Sequence, residues 1–388
     1  MYQILSETMK SIFFLSRYNS TRTSYWSGIP YFARQKLDQN FDVIELNPAE
    51  NIAFQFFERL FSWLRRRFAF RYHFQDSLLS GILAAPYILY TIHIKHRNKA
   101  TALVAMAGSS ELLFVPKKVR VILFADATME QLFDFYPTYK DIFGWSKWES
   151  CSVNISMLNS LHHAFFTSNW ALSHARQIST LNSTNSSLAY FGPNLPDQYS
   201  SNLIDQRCEE QTLKFLFPTT SWERKGGEEA IRFLTHLSEK ITTPIELIVF
   251  GQTSSSLDFN GFVIHQLGWI DKSNERQLNK LIKAYQTCHF LILPTKADTT
   301  PVSIVEAFCY ALPVIATNVG GIKEMFNNSQ AGFMYDMQDM GSAIQWVQQH
   351  NRNDSYKKAA LDSRKQFEKK YNWNQWVEKM QGVLHVND

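Results

Sequence analysis

FLILPTKADTTPVSIVEAFCYALPVIATNVGGIKEMFNNSQAGFMY, residues 290–335, is the most informative stretch of this 388-residue chain. Its apolar run Phe290–Leu293 predicts a buried strand. A polar loop follows, and a helix then begins near Glu306 and is broken at Pro313. Val314–Ala316 predicts the next strand. This order of strand, loop and helix N-terminus predicts an open parallel α/β sheet whose loop holds an anionic ligand.

Two carboxylates frame that loop, with Asp298 inside it and Glu306 near the start of the helix. A carboxylate that projects from a helix start is well placed to accept hydrogen bonds from a ribose diol. The helix start contains the run Thr300, Pro301, Val302 and Ser303, whose free backbone N–H groups, which Pro301 lacks, are suited to an anionic phosphate. The alternative for Glu306 is a first-turn acid that only complements the helix dipole.

The same stretch resembles the donor-binding signature of retaining glycosyltransferase family 4, a GT-B family among the glycosyl transferases group 1. The signature is E-x7-E, then E-A-x-x-x-G-x-P-V-I-A-T, then G-G-x-x-E. It reads here as Asp298-x7-Glu306, Leu312–Thr317 and Gly320–Glu324. Two positions depart from the pattern, because Asp298 replaces the first glutamate and Ala311 replaces the usual glycine.

The resemblance implies a GT-B fold, in which two Rossmann-like doubly wound domains face a central cleft and a C-terminal helix crosses back to the first domain. The alternation of strand and helix patterns in both halves independently predicts two doubly wound α/β domains. We predict an acceptor-side domain at 1–205, completed by the crossover helix 371–388, and a nucleotide-sugar-binding domain at 206–370. The polar run Leu195–Glu210 is interpreted as the link between them.

Further donor-binding candidates follow from the same resemblance. Lys225 corresponds to the lysine that binds the donor diphosphate in the family, and Thr219 stands where an arginine is usual. Arg224 is a substitute cation, although Arg224 and Lys225 could also form only a solvated basic turn. Trp269 and Ile270 follow a predicted strand at the place where relatives hold the nucleotide base. Trp269 could stack on that base or pack under its own loop.

The first half of the chain matches the family only faintly. Gly28 precedes a predicted helix, at the place of a cleft-facing glycine loop in GT-B proteins, and a simple helix start is the alternative. Asp126 follows the predicted strand Val119–Phe124, at the end of the sheet where α/β proteins bind ligands. It could orient an acceptor hydroxyl or take its proton, or it could cap the next helix. His162 and His163 are adjacent and point apart on a strand, so no metal site is predicted.

The resemblance therefore implies a retaining, metal-independent, hexosyltransferase-like enzyme. It would move a sugar from a nucleotide-diphosphate sugar, UDP- or GDP-linked, to a glycan or a lipid-linked acceptor, without another cofactor. Lys225, Asp298 and Asp126 are the catalytic candidates. The alternative is a degenerate GT-B protein that binds a nucleotide sugar or a partner without turnover. A sugar epimerase also stays open, whereas the lack of G-x-G-x-x-G after any predicted strand disfavours a nicotinamide dehydrogenase.

Composition indicates which classes of partner and which cellular compartment are expected. The net charge of +4 is mild, and no nucleic-acid-binding motif is present. Four widely spaced cysteines are typical of free thiols in a reducing compartment. The short apolar run near the N-terminus does not predict a signal peptide. These features predict a cytoplasmic protein.

One amphipathic segment, residues 54–71, suggests an additional partner. Its apolar residues recur at helical spacing and would share one face: Phe54, Phe57, Phe61, Leu64 and Phe68. Its basic residues crowd the same region: Arg65, Arg66, Arg67 and Arg71. A basic aromatic helix of this kind suits peripheral contact with the inner face of the cell membrane. The alternative is a core-facing helix with a solvated polar side.

Overall fold

The structure, a computed structural model, describes residues 10–21, 23, 25–96, 100, 102–253, 261–326 and 329–385. The chain divides into two compact units. Unit 1 comprises Met1–Ala189 and Val377–Asp388, and unit 2 comprises Tyr190–Trp376. Each unit is an α/β domain with its own sheet and its own core.

Unit 1 alternates strands and helices along the chain. Its elements are β1 Ser11–Ser16, α1 Ile29–Leu37, β2 Asp42–Leu46, α2 Ile52–Phe68, α3 Leu78–Tyr90, β3 Ala102–Met106, β4 Arg120–Ala125, α4 Met129–Phe135, α5 Gly144–Leu158, β5 His163–Phe166, α6 Asn169–Ile178 and β6 Ser186–Leu188. A π-helical segment, Thr91–Lys95, continues α3. Short 3₁₀ turns connect several elements, among them Tyr25–Gly28 and Phe74–Asp76.

The unit 1 sheet is parallel throughout and has the order β2-β1-β3-β4-β5-β6. Its central strands are buried on both faces because helices cover both sides of a doubly wound sheet. The strand order reverses between β1 and β3. At such a reversal the loops after the two strands diverge, which leaves a crevice at the carboxyl ends of the strands. Ligands of open α/β sheets bind in such crevices.

Unit 2 repeats the pattern. Its elements are α7 Asn202–Glu209, β7 Leu213–Thr219, α8 Trp222–Lys225, α9 Gly227–Ser238, β8 Ile245–Gly251, β9 Val263–Gly268, α10 Glu275–Thr287, β10 Phe290–Leu293, α11 Val302–Cys309, β11 Val314–Thr317, α12 Ile322–Met325, β12 Gly332–Tyr335, α13 Met340–Gln349 and α14 Asp354–Lys369. The last helix, α15 Trp373–His385, starts in unit 2 and ends in unit 1. The sheet is again parallel, with the order β12-β11-β10-β7-β8-β9. Its strand order reverses between β7 and β10, so the crevice of unit 2 lies after these two strands.

The division between the units falls earlier than the sequence predicts, after Ala189 instead of residue 205. The run Leu195–Glu210 is no free linker, because Leu195 is buried in the unit 2 core and α7 lies within the run. Arg207 of α7 is buried, and its guanidinium donates to backbone carbonyls of unit 2, among them Ala311 O at 2.7 Å. These contacts fix the segment to unit 2.

At the C-terminus, residues from Val377 onward group with unit 1, whereas the sequence places the start of the crossover at residue 371. Arg120 of β4 donates to Leu384 O of α15 at 3.4 Å, a contact within unit 1. Tyr371 is buried in a core of unit 2. The last helix therefore begins with residues of unit 2 and ends with residues of unit 1.

Candidate functional site

In unit 2, the loops after β7 and β10 meet at the point where the strand order reverses. The loop after β10 carries Asp298, and the loop after β7 leads into α8, which carries Arg224 and Lys225. Two hydrogen bonds to one backbone carbonyl fix the loops together: Lys296 N donates to Arg224 O at 2.8 Å, and Thr295 Oγ1 donates to the same carbonyl at 3.2 Å. The sequence therefore folds these predicted residues into one site.

Lys225 and Asp298 form a buried ion pair at this site. The Lys225 ammonium donates to Asp298 Oδ2, and both residues are at least nine-tenths buried. A lysine held this way is not a solvated turn residue, so the alternative for Lys225 is wrong. Arg224 lies beside the pair, with Nη1 3.6 Å from Asp298 Oδ2. The same Nη1 donates to Ala297 O at 2.6 Å, so Arg224 also holds the loop in place.

Glycine is required next to this lysine. Gly226 adopts a left-handed conformation with φ of 79°, and a Cβ atom built there would lie 1.9 Å from Pro294 O. Pro294 directly follows β10. The close approach of the two loops therefore depends on the absence of a side chain at this position.

We expect Gly226→Ala to destabilise the folded protein by at least about 2 kcal/mol, because a left-handed alanine and a backbone clash combine there. Urea unfolding followed by circular dichroism measures the change. Gly382→Ala is the matched control, since nothing lies within 4 Å of a Cβ atom built at that glycine of α15. The control should be neutral or more stable by about 0.5–1 kcal/mol. Equal stability of Gly226→Ala and the wild type would contradict the geometry.

The first residues of α11 lie directly after the loop that holds Asp298. The helix is preceded by Pro301 and has no side-chain cap, so the first backbone N–H groups are not satisfied by a capping side chain. Ser303 is buried, and its Oγ has no hydrogen-bond partner among the described residues. Thr219 Oγ1, at the end of β7, is likewise buried and without a partner in the described part of the chain. Buried polar atoms of this kind indicate a place for a bound polar ligand.

Glu306 lies on α11 and is only 2% exposed. Its two oxygens are engaged separately: Lys272 Nζ donates to Oε1 at 2.6 Å, and the Tyr285 hydroxyl donates to Oε2 at 2.8 Å. Burial and the neighbouring Glu306 carboxylate raise the pKa of Tyr285 well above its ordinary value. Glu306 is therefore a buried, paired carboxylate, and it lies beyond the first turn of α11, so the first-turn alternative is wrong.

Lys272 and Tyr285 were not predicted as site residues. Lys272 lies two positions after Ile270, in the turn after β9 that was already assigned to the nucleotide base. Trp269 in the same turn is 65% exposed, so the alternative that it packs under its loop is wrong. Thr300 and Val302 are half-buried, and Pro301 is buried. Their predicted roles stay predictions.

Unit 1 contains a second candidate site, a cavity of about 370 Å³ at the carboxyl ends of β1, β3 and β4. This is the crevice expected where the strand order reverses. Asp126, half-buried, is among the lining residues, together with Arg17, Tyr25, Asp76 and Tyr139. Asp126 does not cap α4, because Thr128 does so with a full capping box to Gln131. The helix-cap alternative for Asp126 is therefore wrong.

A buried ion cluster forms one wall of this cavity. Arg17 Nη2 donates to Asp76 Oδ1 at 2.8 Å and to Glu111 Oε2 at 3.1 Å, and Arg17 Nε also donates to Glu111. His73 Nε2 lies 2.9 Å from the second oxygen of Asp76. Burial opposes the charge on Asp76, but Arg17 and His73 outweigh that effect and hold the pKa of its carboxyl below the usual range. Sequence reasoning missed this cluster, although Arg17 directly follows β1.

The backbone around the cavity is strained. Trp26 and Ala107, both non-glycine residues of the lining, have φ values of 43° and 56° in the left-handed region. Ser27 has φ of 57°, and Gly28, which precedes α1, has φ of 89°. Such conformations cost about 1–3 kcal/mol each for non-glycine residues and concentrate at functional sites. Gly28 is the N-cap of α1, so the helix-start alternative is confirmed, and its role in a cleft-facing loop stays a prediction.

Comparison with known proteins adds family and fold information. Residues 205–372 match the family model described as glycosyl transferases group 1, which is less than half of the chain. A protein of Methanocaldococcus jannaschii named an uncharacterized glycosyltransferase is 22% identical over 150 residues. That alignment covers 39% of this chain and 42% of that protein, so the chain matches less than half of the relative's length.

Two solved structures cover nearly the whole chain. Sucrose-phosphate synthase from Thermosynechococcus elongatus superposes with a TM-score of 0.66 at 14% identity, over 97% of this chain and 98% of that one. HepE of Anabaena, solved in complex with UDP and glucose, gives a TM-score of 0.60 at 14% identity, over 97% of this chain and 100% of that one. These likenesses confirm the predicted GT-B architecture of two doubly wound α/β domains.

Proposed function

We propose that this chain is a glycosyltransferase that binds a nucleoside-diphosphate sugar in unit 2 and an acceptor in unit 1. The reaction would transfer the sugar, with retention of its configuration, to a hydroxyl group of a glycan or a lipid-linked acceptor. The match of residues 205–372 to group 1 glycosyl transferases supports this proposal, because all unit 2 candidates lie inside that range. The GT-B architecture is consistent with it.

The observation that carries the proposal is the buried Lys225–Asp298 pair beside the uncapped start of α11. Cleavage of the bond between the sugar and the diphosphate leaves additional negative charge on the diphosphate. An ammonium group and free helix N–H groups, fixed in a dry site, stabilise that charge without reorganisation. Arg224 adds a second positive charge next to the pair. These groups, and not a metal ion, would stabilise the negative charge on the leaving diphosphate.

Glu306 would bind the ribose. Each oxygen of its carboxylate accepts one hydrogen bond in the structure, and a carboxylate offers about four acceptor positions. Both ribose hydroxyls could therefore donate to Glu306 without displacing Lys272 or Tyr285. Trp269, exposed in the turn after β9, would stack on the base.

The unit 1 cavity would hold the acceptor. Its aromatic side chains, Tyr25, Trp26 and Tyr139, provide apolar faces that suit the C–H faces of a sugar ring. Its carboxylates, Asp76 and Asp126, provide hydrogen-bond acceptors for hydroxyl groups. Arg17 and His73 hold the pKa of the Asp76 carboxyl low, which makes it a weak base, and we assign the uptake of the proton from the acceptor hydroxyl to Asp126.

A screen of the purified protein against UDP, GDP, ADP and their common sugars tests the donor assignment. A ligand at 100 times its dissociation constant should stabilise the folded state by about 2.7 kcal/mol, which thermal unfolding resolves. We expect one nucleotide class to produce this shift in the absence and in the presence of added Mg²⁺. Trp269→Ala should weaken the shift, and Leu361→Ala, which alters an exposed side chain of α14, should not. If none of the nucleotides shifts the unfolding temperature, the donor assignment is overturned.

The second candidate function, nucleotide-sugar binding without turnover, is favoured by one observation. Thr219 occupies the place of the family's arginine, and Asp298 is shorter than the family's glutamate. A donor that binds but is neither hydrolysed nor transferred over long incubation would establish this second function. Release of the free nucleotide, which a coupled assay detects, would establish turnover.

A further inference from the structure

The exposed apolar residues of this protein are concentrated on one part of unit 1. Among the described residues, fourteen large apolar side chains are exposed, and eleven of them lie on three segments. The segments are α2, the helix α3 with its π-helical continuation, and the first turns of α5. Scattered exposed apolar residues are normal, but a concentration of this kind marks an interaction surface.

Each of the two long helices carries apolar residues on its buried face and also on its outward face. On α2, Phe54 is fully buried, whereas Ile52, Phe56 and Trp63 are 85%, 60% and 50% exposed. These three residues follow each other at intervals of four and seven, so they share the outward face. Of the predicted stripe, Phe54 lies in the unit 1 core and Phe57 and Phe61 pack against it, as the core-facing alternative has it, whereas Phe68 is exposed. The helix ends there, and Ala69 turns the chain with φ of 51°.

The helix Leu78–Lys95 shows the same arrangement. By length and composition alone, it is the one helix in the described part of the chain that could cross a membrane. Ala84, Ile88 and Ile92, however, are fully buried in the core of unit 1. Its outward face carries Leu78, Ile82, Leu89 and Ile94. A helix whose inner face is packed against a sheet does not span a bilayer, but its outer face is suited to the bilayer surface.

Direct contacts link the three segments to one another. Phe70, just after α2, lies 6.2 Å from Phe61 of α2 and 5.4 Å from Phe143, which precedes α5, measured between ring centroids. Trp145, at the start of α5, stacks on Tyr72 at 5.1 Å. The backbone N–H of Leu78, the first residue of α3, donates to the Glu149 carboxylate of α5 at 3.2 Å.

The charge on this surface is positive. Four exposed arginines lie on α2, Arg59 and the run Arg65–Arg67, and the Arg67 guanidinium lies 5.7 Å from the centre of the Phe68 ring. The acid on α2, Glu58, is turned inward and accepts hydrogen bonds from Tyr18 and Gln75. A protein partner for an apolar face needs no such ring of arginines, whereas anionic lipid head groups complement it.

We propose that α2, Leu78–Lys95 and the first turns of α5 form a docking surface for an anionic lipid bilayer. Ile52, Phe56, Trp63 and Ile82 would enter the boundary between head groups and acyl chains, with the arginines at the level of the phosphates. The docking surface includes the predicted segment 54–71 and adds the two other helical segments. On α2, the outward face of the helix belongs to this surface. This inference rests on the surface of unit 1 and is independent of sugar transfer.

Co-sedimentation of the full chain with vesicles tests the proposal. We expect binding to vesicles of phosphatidylserine and phosphatidylcholine, weakened by salt, and much weaker binding to phosphatidylcholine alone. Each arginine near an anionic surface contributes about 1 kcal/mol, so Arg65→Gln, Arg66→Gln and Arg67→Gln combined should lower the affinity by about 150-fold. A triple variant Phe56→Ser, Trp63→Ser and Ile82→Ser should also lose binding.

Leu361→Ser is the matched control, because Leu361 is an exposed apolar residue of unit 2, and it should bind as the wild type does. Circular dichroism checks that each variant is folded, as expected for substitutions of exposed side chains. Absence of wild-type binding to anionic vesicles would overturn the proposal, and so would undiminished binding by both variants. Concentration-dependent self-association that the triple serine variant abolishes, without vesicle binding, would assign the surface to a second copy of the chain and overturn the lipid assignment.

Discussion

Replacing Lys225 by alanine is expected to lower kcat/KM for sugar transfer by about 10²–10³-fold, the usual effect of removing one fixed donor from a charge-stabilising site. Lys225 is buried, contacts Asp298 and lies beside the uncapped start of α11. Without its ammonium group, the negative charge on the leaving diphosphate is met by Arg224 and the helix N–H groups alone. The effect should appear in kcat as well as in KM, because the diphosphate charge grows on the way to the transition state.

Two further variants separate catalysis from structure. Lys296→Ala removes a lysine of the same loop, whose half-exposed ammonium pairs with Glu229 at 3.1 Å, and it should leave kcat/KM unchanged within about twofold. Lys225→Arg keeps the charge and should restore part of the activity. Initial rates with the nucleotide sugar that stabilises the protein measure all three. Full activity of Lys225→Ala would remove this residue from the site.

The fold was largely predictable because its strands are apolar runs of a parallel sheet. The predicted strand Phe290–Leu293 is confirmed in full, and the predicted strand Val314–Ala316 lies within β11. Two edge strands, β6 and β12, were not predicted. β6 is only three residues long and largely polar, Ser-Ser-Leu, and β12 begins with glycine. Edge strands have fewer neighbours to satisfy, so their sequences carry a weaker apolar signal.

Residues of the two sites were predictable only where they lie close to one another along the sequence. Asp298 and Glu306 follow from spacing within one strand, loop and helix. The pairing of Lys272 with Glu306 spans 34 residues, and the pairing of Arg17 with Glu111 spans 94. Such contacts depend on which distant loops the strand order brings together. The composition and the periodicity of a sequence contain no information about that strand order. Once the order is known, the two reversal points locate both sites.

Arg17→Met is expected to destabilise the folded protein by about 3–5 kcal/mol, because two buried carboxylates lose the guanidinium that pairs with both of them. Arg17 and Asp76 are 7% exposed, and Glu111 is fully buried. For a unit of this size, the loss corresponds to a fall in the melting temperature of roughly 6–20 °C. Arg34→Met is the control in the same unit, since its pair with Asp38 is partly exposed and contributes at most about 1 kcal/mol. Urea unfolding at pH 7 measures both.

The pH dependence of this loss distinguishes an ionic cause from a loss of packing. In the wild type the Asp76 pKa is held below its ordinary value, so that group adds stability above the unfolded pKa of about 4, and the contribution is lost as the pH falls. In Arg17→Met, Glu111 is buried without the guanidinium, which should raise the pKa of its carboxyl above the unfolded value, so its contribution to stability is lost as the pH rises. The difference between the variant and the wild type should therefore shrink from pH 8 to pH 5. A difference that stays constant over this range would assign the role of Arg17 to packing.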